Sequence, residues 1–205
     1  MSLDDWHIVF VSICLMVVLA ACAPVAMAYL RIREEKFFAL AVLGEEGMAE
    51  HYYPGNDPDI EVGEEVHWTI YLYNHMGEAQ YVAVRMKLLN STTLAPNSTY
   101  CTPSPAPVVY EARRVILDNE TWLYPVTWSV EEVGLVGDFL NIHLLAVNGE
   151  YFVTSVVGRN GNNFRIVLEL WVYNVSLDDF EFGWSYDDDM HCAWNQVWFN
   201  VTLPR

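Results

Sequence analysis

The chain has 205 residues, with 27 acidic against 10 basic side chains and a formal net charge of −17. Such a chain does not bind nucleic acid by neutralising phosphates, and an anionic membrane surface repels it. From Phe37 onward 23 acids stand against 7 bases, and the length of that part is one domain's worth, enough to bury a core.

Residues 1–5 are a short stub. Residues 6–30 contain no Lys, Arg, Asp or Glu. As a helix they rise about 37 Å, enough to cross a hydrocarbon core of about 30 Å with some tilt. Trp6 and Tyr29 stand at the two ends, where amphipathic rings prefer the headgroup level. The expectation is a single N-terminal transmembrane helix over 6–30 with the lipid bilayer as its partner, kinked at Pro24. Two other readings compete. Ala26-Met27-Ala28 has the form of a signal-peptide cleavage site, and Leu19-Ala20-Ala21-Cys22 that of a lipobox. Both require a basic segment before the apolar core, and the stub holds two acids and no base. An uncleaved anchor is the preferred reading. Cys14 and Cys22 within it act as small hydrophobes.

A charged collar, 31–36, follows with Arg31, Arg33 and Lys36. Counted by the positive-inside rule, it places the remainder in the cytoplasm. Asn-x-Ser/Thr argues the other way. It occurs at Asn90, Asn97, Asn119, Asn174 and Asn200. The chain's 13 Asn and 18 Ser or Thr predict about one such motif by chance. These motifs accept glycans only on an exported domain, so 37–205 is expected on the extracellular side of the cell membrane. Cys101 and Cys192 are then expected to form a disulfide, the alternative being two unpaired buried thiols.

Residues 37–43 are a short apolar run closed by Gly44-Glu45-Glu46-Gly47, and 48–53 precede a Pro/Gly/Asn turn. Val66, Trp68, Ile70 and Leu72 alternate with His67, Thr69, Tyr71 and Tyr73. Val82, Val84, Met86 and Leu88 alternate with Tyr81, Ala83, Arg85 and Lys87. Period two with one apolar face predicts half-buried antiparallel strands, and the polar link 74–77 reads as a hairpin. Residues 90–107 form a long Ser/Thr/Asn/Pro loop with two sequons and Cys101. Strands follow over 108–117, 122–130, 139–147 and 151–157, with Asn148-Gly149 as a hairpin turn. The last strands cover 164–173, 180–184 and the run ending Val197, Phe199, Val201, after an acidic turn at 185–189. The fold expected is mainly β: an immunoglobulin-like antiparallel β-sandwich of nine or ten strands.

Residues 43–54 (Leu43-Gly44-Glu45-Glu46-Gly47-Met48-Ala49-Glu50-His51-Tyr52-Tyr53-Pro54), Glu61-Val62-Gly63-Glu64-Glu65 and Tyr73-Asn74-His75-Met76-Gly77 resemble an archaeal ectodomain family. Its members read "LGxxGxAExYP … VGE … xNHEG" there. This is the domain-of-unknown-function family numbered sixteen-sixteen, and Phe164-Arg165-Ile166-Val167-Leu168-Glu169-Leu170-Trp171 is similar to its final strands. Its members often carry several membrane helices where this chain has one. The resemblance implies an archaeal cell-surface setting and no activity.

No nucleophile-elbow, zincin, P-loop, dinucleotide or Cys-x-x-Cys motif is present. An enzyme is not expected, nor a cofactor. Asn56, Asp57, Asp59, Glu61, Glu64 and Glu65 offer oxygens for Ca²⁺, as do Asp178, Asp179, Glu181 and 187–189, but neither has calcium-loop spacing. Solvated loops are the preferred reading. His51, His67, His75, His143, His191 and Cys192 share no ligand-like spacing. Tyr71, Tyr73, Trp171 and Trp198 fall on faces opposite the core, which marks them as interface candidates; the alternative is aromatics half-covered by loops or glycans. The leading expectation is a glycosylated archaeal surface protein packing against partner subunits in an envelope or membrane complex. A pilus-like filament subunit, self-associating through its apolar helix, and a metal- or sugar-binding accessory domain are the alternatives.

Overall fold

A computed structural model describes residues 3–29 and 35–203. The chain divides into two units, residues 1–35 and 36–205. The first is helix α1 (Leu3–Tyr29), which continues through Pro24. Its side chains are described at 6, 7 and 9–23, and all of these are exposed. Among the described residues no helix is long and apolar enough to cross a membrane. The expected span 6–30 ends on a residue outside the described ones, and most of the collar 31–36 lies outside them too.

The second unit is built of strands: β1 (Phe37–Leu43), β2 (Asp59–Glu61), β3 (Val66–His75), β4 (Gln80–Asn90), β5 (Tyr110–Ile116), β6 (Thr121–Val136) and β7 (Phe139–Val147). Then come β8 (Glu150–Arg159), β9 (Phe164–Asn174), β10 (Asp179–Phe182), β11 (Trp184–Tyr186), β12 (Asp189–His191) and β13 (Trp194–Thr202). The first sheet runs β1-β3-β6-β7-β8 and the second β2-β13-β9-β4-β5, with β10 also on β9. Pairing is antiparallel except for β2, which lies parallel to β13. β3 and β6 share one sheet while β4, β9 and β13 share the other, the strand distribution of an immunoglobulin-like sandwich. The expected mainly-β sandwich is therefore what forms.

The alternation read from the sequence faces inward as expected. Val66, Trp68, Ile70 and Leu72 meet Val82, Val84, Met86 and Leu88 in one core. An aromatic column ties the sheets together. Trp68 packs edge-on against Trp128 at 5.1 Å, Trp128 against Phe199 at 5.0 Å, and Phe199 against Phe164 at 5.8 Å between ring centroids. Asn148 and Gly149 both take positive φ, 50° and 81°, as a tight primed turn between β7 and β8 demands.

Several expectations are corrected. The link after β3 is not a hairpin, because β3 and β4 belong to different sheets. Asn74, fully buried, makes this corner. Its amide nitrogen donates to the carbonyls of Glu78, Ile116 and Leu117, and its Oδ1 accepts from the Met76 backbone. Those bonds satisfy backbone groups that a chain crossing between layers leaves unpaired. β6 runs on to Val136, and the acidic turn is the β11–β12 hairpin. Residues 59–61, read as part of a solvated loop, are the edge strand β2.

Trp128→Ala is expected to cost about 3–5 kcal/mol, since it empties the middle of the aromatic column. Denaturant unfolding of the full chain in detergent, followed by far-UV circular dichroism, reads this as a lowered midpoint with unchanged slope.

Candidate functional site

The outer face of the second sheet departs most from a simple sandwich. β9 is buried along nearly its whole length, on both faces. Its register with β4 sets Glu169 opposite Arg85 and Val167 opposite Lys87. Lys87 is 3% and Glu169 0% exposed. Lys87 Nζ donates to Glu169 Oε2 at 2.8 Å and to the Ser104 carbonyl at 2.6 Å. Ser104 N donates to Glu169 Oε1 at 2.7 Å, and Trp171 Nε1 to Oε2 at 3.0 Å. The buried carboxylate thus has partners on both oxygens, as a charge removed from water requires.

Residues 93–104 are the cover. Ser104 is buried, and its Oγ donates to the Leu94 carbonyl at 2.8 Å. Arg165, also buried, donates to the Thr93 carbonyl at 2.5 Å and to Gln196 Oε1 at 2.8 Å, and lies 4.7 Å over the Trp198 ring. Burial lowers the Arg165 guanidinium from its usual value. Beyond the cover the same face is roofed by cations. Arg85 lies 3.9 Å over Trp171, and Arg113 4.9 Å over Phe180. Glu111 holds both guanidiniums, at 2.5 Å each. Burial alone would raise the Glu111 carboxyl, but the hydrogen bonds and charges of Arg85 and Arg113 outweigh it and hold it below the usual range.

The four aromatic interface candidates divide between the sheets. Trp171 and Trp198 lie on this outer face with the partners just described, and Trp198 remains 40% exposed. Tyr71 and Tyr73 lie on the outer face of the first sheet. There Ala41, Tyr71 and Leu123 form one row and Ala39, Tyr73 and Thr121 the next, with no charged side chain in either. Tyr73 donates to Asn119 Oδ1 at 2.9 Å and stacks on His75.

Of the sequon asparagines, Asn97 and Asn119 are on loops, Asn90 and Asn174 end β4 and β9, and Asn200 lies within β13; their amides differ. Asn90 Nδ2 donates to the Val157 carbonyl, Asn119 Nδ2 to Asp118, Asn174 Nδ2 to Glu181 and Asn200 Nδ2 to Asp59. Asn97 is exposed, and its Oδ1 accepts from the backbones of Thr99 and Tyr100. Cys101 and Cys192, 91 positions apart, are brought to one place as free thiols.

Asp57, Asp59, Glu61 and Glu64 line one open depression of about 440 Å³. Asp57 and Glu64 accept backbone N–H groups within their own loop, and Asp59 accepts from Asn200. Among the described residues no three His, Cys, Asp or Glu are gathered to hold a metal. A cavity of about 340 Å³ runs along the edge strand β8, between Phe152 and Pro107. A register shift between β7 and β8 and the Asn90–Val157 bond interrupt that edge, a common protection against strand pairing.

Sequence reasoning missed Lys87, Glu169, Arg85, Glu111 and Arg165. The available signal was opposite charge at outward positions of two long alternating strands. The register that makes the charges neighbours is not local information.

No protein-family model and no curated protein sequence matches the chain. Solved structures similar in fold include the CARDB domain of a Pyrococcus furiosus protein in complex with di-metal ions: TM-score 0.39, 10% identity, 83% of this chain and 97% of that one. Bacillus subtilis Spo0M, a sporulation control protein, matches with TM-score 0.36 and 9% identity over 80% of this chain and 49% of that one. A Listeria innocua β-glucosidase matches with TM-score 0.35 and 10% identity over 82% of this chain and 17% of that one.

Two predictions follow from the ion networks. Lys87→Met strands a buried carboxylate and is expected to destabilise by about 3–5 kcal/mol, whereas Lys87→Met with Glu169→Leu restores most of the loss. Denaturant midpoints of the single and double variants check this. Glu111 has a lowered folded pKa, so its contribution is fully present above the unfolded carboxyl value of about 4.3 and lost as pH falls through the folded value. The stability difference between wild type and Glu111→Gln is therefore expected to shrink on acidification below about pH 4, read by thermal melts across pH.

Proposed function

We propose that this chain is a non-enzymatic, glycosylated archaeal cell-surface protein. Residues 6–30 anchor it in the lipid bilayer. The β-sandwich stands on the extracellular side and packs against partner subunits of an envelope or membrane complex. The observation that carries the reading is the first unit: the described side chains 9–23 of α1 are all exposed, nearly all apolar and uncharged on every face. A helix apolar all round needs apolar surroundings, and lipid supplies them. The five sequons, against about one expected by chance, favour export. The resemblance of residues 43–77 to an archaeal ectodomain family favours the same setting. For the partner contact, the uncharged rows around Tyr71 are the best-suited patch, since a face without acids escapes the repulsion that a net charge of −17 imposes elsewhere.

Alkaline carbonate washing of native membranes is expected to leave the protein in the pellet. Release into the supernatant would sink the anchor. Protease added to intact cells is expected to degrade the sandwich, and glycopeptide mass spectrometry to find glycan on Asn97 above all. Asn200, whose amide is tied to Asp59, is expected to be the poorer acceptor. Tyr71→Glu is expected to release the protein from its complex in native electrophoresis while leaving the melting temperature within a few degrees of wild type, because the ring lies outside the core.

A further inference from the structure

The residues that cover the buried Lys87–Glu169 pair are not a strand of the sheet; side chains of β4 and β9 hold them at Thr93 and Ser104. They belong to a long connection, residues 91–109, whose internal ladder among the described residues is the single Asn97–Thr102 bridge. The tip of that connection is fastened at one point. Ser98 Oγ accepts from Trp194 Nε1 at 2.8 Å, and the Ser98 carbonyl receives two thiols, Cys101 Sγ at 3.8 Å and Cys192 Sγ at 4.0 Å. The two thiols are also within hydrogen-bonding reach of each other. Cys101 sits beside the tip in a left-handed conformation, φ 43°, and Cys192 in the short link from β12 into β13. A reactive pair is thus placed between the cover and the sheet beneath it.

We propose that Cys101 and Cys192 close into a disulfide that clasps residues 93–104 onto the start of β13, and that this clasp keeps Ser104 seated on the Lys87–Glu169 pair. The oxidant is a disulfide, either a small-molecule one or that of a protein donor. The Cys101 thiolate attacks it, forming a mixed disulfide and releasing one thiolate. Cys192 loses its proton, attacks the Cys101 sulfur and releases the second. Two protons leave the protein and the donor is reduced to two thiols. Burial and then the Cys101 thiol push the Cys192 thiol up to about 12. Without the bond, water reaches the pair whenever the cover lifts, and the bonds Ser104 makes to Lys87 and to Glu169 are lost together.

The proposal rests on the exported setting above in one respect, the availability of an oxidising donor, and the test separates the two. The full chain is alkylated at harvest, extracted in detergent and digested without reduction. A peptide linking Cys101 to Cys192, with Cys14 and Cys22 alkylated, is the expected result. If the pair is alkylated at harvest but links when the native protein meets oxidised glutathione, the clasp stands and the exported setting falls. If both remain singly alkylated after that treatment, the clasp is wrong. The second arm is hydrogen exchange on the linked protein before and after reduction. Residues 93–104 and the Lys87 and Glu169 amides are expected to exchange at least tenfold faster once reduced, with a melting temperature lower by roughly 5–15 °C. Unchanged exchange over 93–104 would overturn the role assigned to the bond. Reduction of wild type serves as the comparison if Cys101→Ser with Cys192→Ser folds poorly.

Discussion

A charged pair with no access to water sits where a simple sandwich has its solvated outer face. Lys87 and Glu169 are held there because every oxygen of the carboxylate has a donor: Lys87, Trp171 and the Ser104 backbone. Removing two charges from water is costly, and in a low-dielectric setting the attraction repays it only with complete hydrogen bonding. The pair therefore requires the cover, whose Ser104 bonds both members. β9, buried on both faces, the long connection 91–109 and the Arg165–Thr93 bond all follow from that requirement.

The rest of the second sheet's outer face obeys the same logic with weaker forces. Arg85 and Arg113 spread over Trp171 and Phe180, and Glu111 keeps both guanidiniums in place. Cations over aromatic faces cover apolar area without an added layer of structure. The two sheets thus have different exteriors. The second is sealed by its own loop and its own arginines. The first presents uncharged rows, Ala41-Tyr71-Leu123 and Ala39-Tyr73-Thr121. That asymmetry is why the partner-contact proposal narrows to Tyr71 and Tyr73, while Trp171 and Trp198 each face a guanidinium of this chain.

Between the sheets, two devices do most of the joining. The column of Trp68, Trp128, Phe199 and Phe164 fills the interior with large rings. Asn74 makes the passage from one layer to the other by substituting its amide for backbone partners. Gly161 shows how tight the margins are. A Cβ there would lie 2.2 Å from the Val201 carbonyl, so the turn before β9 and the last strand approach at backbone distance.

What the sequence determined by itself was periodic and local. Alternation at 66–72, 82–88 and 164–172 settled which side chains face inward, because a strand's side-chain direction depends only on parity. Asn148-Gly149 announced its turn through the φ > 0 that both residues tolerate. The uncharged composition of 6–30 marked off the first unit. The tertiary structure decided everything that depends on which strand meets which. The Asn74 link looked like a hairpin because its length permits one; only the sheet assignment makes it a crossover. Tyr71 and Trp171 had the same outward phase in the sequence, yet one lies half-buried in an uncharged row and the other under Arg85. Cys101 and Cys192, like Lys87 and Glu169, are neighbours only through the register of distant strands. Pairing energy is shared among many long-range contacts, and no short window of residues encodes it.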